Sequence, residues 1–161
     1  VLILLSKPFE VGDYIVVSSG YEGTVLEISL INTKLSTVDN RVIIIPNGGL
    51  ADSAIINNTF RDERVLDVKV GVAYDSDIKK VKEVLFSTLD KSSYIMKDAD
   101  KLVFVDELGD SSIVMCVRSY VPANVYFKAK WEMNELIKNS LDEAGINIPF
   151  PQVDVHMIPA K

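Results

Sequence analysis

A chain of 161 residues is long enough for one ordinary domain or two small ones, and 48% hydrophobic with 25% charged residues excludes a disordered segment. Seventeen Lys and Arg against twenty-three Asp and Glu leave a net charge of −6, which speaks against a nonspecific binder of nucleic-acid phosphates. A single cysteine, Cys116, and a single histidine, His156, exclude an internal disulfide, a cysteine-based zinc site and chemistry needing two imidazoles of one chain.

The chain opens Val1-Leu2-Ile3-Leu4-Leu5, followed by Ser6-Lys7-Pro8-Phe9. Five apolar residues do not cross a bilayer, which takes about 20 in a helix. Two readings stand: the last turns of a membrane helix stopped at Pro8, or a buried strand at the start of a domain. No later segment approaches spanning length, so the polypeptide by itself reads as soluble or peripheral.

Asp13–Ser18 reads as a strand closed by the turn Gly20-Tyr21-Glu22-Gly23. Thr24–Ile31 alternates, with Val25, Glu27, Ser29 and Ile31 on one side, and a short strand follows near Thr33–Val38. Val42-Ile43-Ile44-Ile45 is a continuous apolar run bounded by the turn Pro46-Asn47-Gly48-Gly49, the pattern of a buried strand. With Ala54–Asn58, these short strands predict a small barrel or curled sheet.

The pattern changes at the charged link Phe60–Arg64. Val65–Tyr74 alternates as a strand with Val68, Val70 and Val72 inward. Asp75-Ser76-Asp77 then caps a helix whose stripe is Ile78, Val81, Val84, Leu85, Thr88 and Leu89. Leu102–Val105 and Ser112–Val117 are two strands joined through Glu107-Leu108-Gly109-Asp110-Ser111. A second helix over 124–143 carries Val125, Ala129, Met133, Leu136, Ile137 and Leu141 on one face and ends at Gly145. The β-α-β-β-α order predicts an α+β unit with both helices on one face of a sheet. After Pro149-Phe150-Pro151, the segment Val153–Ile158 alternates as a lone strand, either a further strand of that sheet or one whose partners lie in other chains.

Chemistry-bearing constellations are few. Gly20–Gly23 precedes a strand and is a turn rather than a phosphate loop. Asp75–Asp77 lacks the later ligands of a calcium loop. Asp106-Glu107 point to opposite faces of a strand, and Cys116 sits in an apolar strand as a small core residue. No catalytic, cofactor or metal site is expected, and an enzyme is not. Phe127 and Trp131 stand four apart, off the main stripe of the second helix, as a candidate contact patch for another subunit. A mean hydropathy of +0.19 is high for a soluble monomer and points the same way.

Lys7-Pro8-Phe9-Glu10-Val11-Gly12-Asp13, then Gly23-Thr24-Val25 and Ile28, resembles the small-conductance mechanosensitive channel (MscS) family just beyond its pore-lining helix. The similarity continues through Ile45-Pro46-Asn47-Gly48, Ile55-Ile56-Asn57, Gly71-Val72-Ala73-Tyr74-Asp75-Ser76-Asp77-Ile78, Glu107-Leu108-Gly109, and Pro149-Phe150-Pro151-Gln152-Val153-Asp154-Val155. It covers essentially the whole chain in order. The resemblance implies the end of the pore helix over 1–8, an Sm-like five-stranded β domain over 9–59, and a ferredoxin-like α/β domain over 60–148. Over 149–161 it implies a connector and a strand for a parallel β-barrel between subunits. Its motif residues, Pro8, Phe9, Gly12, Asp13, Gly23, Pro46, Asn47, Tyr74 and Asp75, carry structural roles. The subunit contacts expected are Phe127, Trp131, Val153, Val155 and Met157. The implied function is the cytoplasmic cage of a tension-gated channel of the inner membrane, a homoheptamer without cofactor or nucleic-acid partner. Ions and small solutes would reach the pore through lateral portals. The membrane-spanning helices of the family are not in this sequence. The competing expectation is a two-domain ligand-sensing module without a channel role.

Overall fold

The computed structural model describes residues 5–161; the apolar start Val1–Leu4, and with it most of the expected pore-helix end, lies outside the described residues. The chain divides into two compact units, Val1–Glu63 and Arg64–Lys161.

The first unit is an antiparallel five-stranded sheet in the order β4-β3-β2-β1-β5. Its strands are β1 (Tyr14–Val17), β2 (Glu22–Ile28), β3 (Asn32–Ser36), β4 (Val42–Pro46) and β5 (Ile55–Asn57). Phe9, Ile15, Val17, Val25, Leu35 and Leu50 form its core, the alternate residues of β1 and β3 supplying one face. A bulge between Val25 and Glu27 interrupts the expected alternation of β2. Beyond it Glu27 is exposed and Ile28, one residue on, turns toward the core. The run Val42–Ile45, expected to be buried on both faces, is an edge strand: Val42 is 56% and Ile44 59% exposed, while Ile43 and Ile45 pack inward. The expected turn after Pro46 is instead a one-and-a-half-turn helix, α1 (Asn47–Ala51), which places Leu50 in the core.

The second unit has a three-stranded sheet, β6-β8-β7, with β6 (Glu63–Val72), β7 (Leu102–Leu108) and β8 (Ile113–Pro122). Two helices, α2 (Ile78–Leu89) and α3 (Tyr126–Glu143), share one core with it. Val81, Leu85 and Leu89 of α2 meet Ala129, Met133, Ile137 and Leu141 of α3 over Leu66, Val68, Val72, Met115, Val117 and Val121 of the strands. Asp77 caps α2 by accepting the N–H of Lys79 at 3.0 Å. At the far end of α3, Gly145 adopts φ +68°, and the N–H of Ile146 reaches back to the Leu141 carbonyl at 2.9 Å. Nζ of Lys80 also donates to the Ala144 carbonyl at 3.0 Å, placing a cation on the negative end of α3. The 149–161 segment has no regular secondary structure and joins no sheet of the described residues, so it is not a further strand of its own unit.

Candidate functional site

The motif residues near the start fasten the first unit internally. Gly12, at φ +97°, donates its N–H to the Val25 carbonyl at 2.8 Å, a backbone conformation that side-chain-bearing residues rarely adopt. The carboxylate of Asp13 accepts from the Glu10 N–H at 2.9 Å, the Thr59 hydroxyl at 2.7 Å and Nδ2 of Asn57 at 2.9 Å. Burial works against its charge, and these three donors outweigh it, holding the carboxyl below its ordinary range. Asn57 also reaches the Pro8 carbonyl at 3.2 Å, so one network pins the segment leading into β1 to the end of β5. Phe9 fills the core beneath it. Gly23 lies where β2 passes so close to β3 that a Cβ would overlap the Ser36 carbonyl. Nδ2 of Asn47, after Pro46, donates to the Ser29 carbonyl at 2.7 Å. In the second unit the Tyr74 hydroxyl donates to the Gly109 carbonyl, and Asp75 is exposed in the turn ahead of α2. Most of these residues hold backbone, and Tyr74 and Asp75 also line a polar hollow of about 300 Å³ with Ser111, Asn147 and Gln152.

One face of the second sheet is covered by the helices, and the other carries charge. Arg118 grips Asp67 with both nitrogens, at 2.7 and 2.8 Å, and holds that carboxyl below the usual range. Lys69 pairs with Asp106 at 2.9 Å, Asp106 being the residue inserted at the β7 bulge. Cys116 is fully buried but lies outside the helix-covered core cluster. Burial, and then the neighbouring Asp67 carboxylate, push its thiol pKa up, the opposite of what a nucleophile needs. Among the described residues no three His, Cys, Asp or Glu side chains are placed to hold a metal ion.

Several apolar side chains of the second unit and the tail stand exposed. Phe127 and Trp131 lie with ring centroids 6.3 Å apart on the outer side of α3, 42% and 64% exposed. Val153, Val155 and Met157 project from the tail, Met157 at 91% exposure, and the described chain brings nothing against them. Sequence reasoning missed three exposed surfaces: Val42 and Ile44 on β4, Ile56 on β5, and a groove of about 530 Å³ lined by Phe86, Leu102 and Val103 between α2 and β7. The available signal for the groove was Phe86, which falls off the buried stripe of α2. Among the described residues no helix is long and apolar enough to cross a membrane.

The family model described as "Mechanosensitive ion channel, beta-domain" matches residues 1–59, and "Mechanosensitive ion channel MscS, C-terminal" matches residues 66–148. An uncharacterised MscS family protein of Synechocystis is 40% identical over 98% of this chain and 53% of its own length. The small-conductance mechanosensitive channel of Edwardsiella ictaluri is 38% identical over 99% of this chain and 56% of its own length. The chain thus spans about half the length of these curated relatives. The crystal structure of Helicobacter pylori MscS in its closed state superposes with a TM-score of 0.90 and 31% identity, over 99% of this chain and 63% of that one.

Proposed function

The chain belongs to the MscS family of mechanosensitive ion channels, and from that premise we propose that it forms the cytoplasmic cage of such a channel. In this reading copies of the chain assemble as a homoheptamer below a pore made by membrane helices N-terminal to it. Lateral portals between copies admit ions and small solutes. Membrane tension acts on the pore segment, and the residues described here supply scaffold and filter.

The observation that carries the reading is the tail. Thirteen residues from Pro149 onward leave a packed unit, and Val153, Val155, Met157 and Ile158 stand 76–91% exposed with no ladder partner among the described residues. An alternating apolar ribbon with unpaired backbone is costly in water and is covered cheaply only by more ribbon. Tails of neighbouring copies, closing into a parallel barrel, remove the edge altogether. The two outer strands of the first unit, β4 and β5, likewise carry exposed Val42, Ile44 and Ile56 at opposite ends of its sheet, the arrangement a ring of copies would use.

Light scattering on the purified chain tests assembly: a mass seven times 17.9 kDa is expected, and a particle of one chain weight at every concentration overturns it. Patch recordings from the intact channel that carries this chain test the channel role. Currents that ignore applied suction overturn that part.

A further inference from the structure

We propose that Ser111 is a positioning residue for the tail: its hydroxyl clamps the backbone at Gln152 and so fixes where residues 153–161 leave the second unit. The clamp is a contact within one chain. Its use, presenting the tail to neighbouring copies, rests on the reading that tails pair.

Three segments distant in sequence meet at this point. Beyond β6, the N–H of Ala73 donates to the Asn147 carbonyl at 3.0 Å, which holds the start of the connector. The Tyr74 hydroxyl donates to the Gly109 carbonyl and ties the same turn to the β7–β8 hairpin. The hairpin tip is itself closed by the Gly109 N–H on the Ser112 carbonyl at 2.8 Å. Gly71, near the end of β6, passes so close to that tip that a Cβ would overlap the Ser112 side chain. From this braced position Oγ of Ser111 accepts the Gln152 N–H at 3.1 Å. The polar hollow of about 300 Å³ lies where the three segments meet.

Between its two fixed ends the connector has little freedom. Ile148 packs against the core of the unit. Pro149 and Pro151 lock their own φ, and each bars the helical region to the residue before it. Nε2 of Gln152 donates back to the Phe150 carbonyl at 2.8 Å. From Val153 to the end every residue is exposed. The boundary between held and free backbone therefore falls at Gln152, and Ser111 sets it. The prolines stiffen the connector but donate no hydrogen bond that could anchor it. A root held in place leaves fewer conformations to lose when tails come together.

The test is amide hydrogen exchange on the full chain, read at single residues. The Gln152 amide is expected to exchange about tenfold more slowly than in an unstructured peptide. Ser111→Ala is expected to bring it to the peptide rate, and Ser111→Thr, which keeps the hydroxyl, to slow it again. The amides of Ala73, Gly109 and Ile146 are expected to stay protected in all three chains, which separates loss of the clamp from loss of the fold. Free exchange of Gln152 in the unsubstituted chain, or equal protection in it and in Ser111→Ala, overturns the proposal. Self-association by light scattering reads the use of the clamp: it is expected to be about tenfold weaker in Ser111→Ala than in Ser111→Thr. Equal association overturns the presenting role. A chain that stays single while its Gln152 amide is protected supports the clamp and overturns the pairing of tails.

Discussion

The hydroxyl of Thr33 donates to Oδ1 of Asn47 at 2.8 Å with both side chains buried, fastening helix α1 to strand β3. The same Asn47 donates to the Ser29 carbonyl. Replacing Asn47 by Ala strands a buried hydroxyl and a carbonyl, for an expected loss of about 2 kcal/mol in urea unfolding. Adding Thr33→Val in that background removes the orphaned group and is expected to recover part of the loss. Full additivity of the two changes would show that the bond is not the source.

Gly23 tolerates no side chain. A Cβ there would overlap the backbone carbonyl of Ser36, which has no freedom to yield without parting β2 from β3. Gly23→Ala is expected to cost about 2 kcal/mol or more. Gly48→Ala, where a Cβ meets open space, is the matched control and is expected to change stability by under about 0.5 kcal/mol.

Four carboxyls are held below their ordinary range; Asp39, held low chiefly by the Thr37 hydroxyl, is fully exposed, and the other three are partly buried. Asp13 is held low by its three donors against burial. Asp67 is held low by hydrogen bonding and then charge from Arg118. Glu132, opposed by burial, is held low by the Ser92 hydroxyl and the Ser93 N–H. A group with a depressed native pKa adds stability above its unfolded value, and that stability drains away as pH falls through the native one. Unfolding free energy is therefore expected to be flat from neutrality down to about pH 4 and to decline below it. Asp13→Asn should flatten part of that slope. An unchanged slope would remove Asp13 from the account.

Cys116 is expected to resist a disulfide reagent in the native chain at pH 8 and to react at once in urea, because burial and the Asp67 carboxylate both disfavour its thiolate. Prompt native labelling would show that the charged sheet face opens in solution.

Much of this architecture was legible in the residues. The stripe of α2, the Asp77 cap and the Gly145 stop lie where helical spacing put them, because each rests on local rules that tertiary packing did not override. The misreadings have physical causes. Val42–Ile45 carries too many β-branched residues for its edge position, so composition mimicked a two-face burial it does not have. The β2 bulge inserts one residue and reverses the faces beyond it, which no periodicity reports in advance. Phe127 and Trp131 were legible as off-stripe aromatics. The groove of Phe86 and Leu102 was not, since it joins residues sixteen positions apart through a packing angle.

The prolines of the tail act as a ruler. Pro151 and Pro159 have no N–H to give, and the N–H of Gln152 is taken by Oγ of Ser111 at 3.1 Å. The uninterrupted run of free ladder donors between the two prolines is therefore 153–158, a stretch about 20 Å long when extended. If tails of neighbouring copies pair in parallel, that run sets the unbroken height of the staves, and lengthening it requires replacing Pro151 or Pro159.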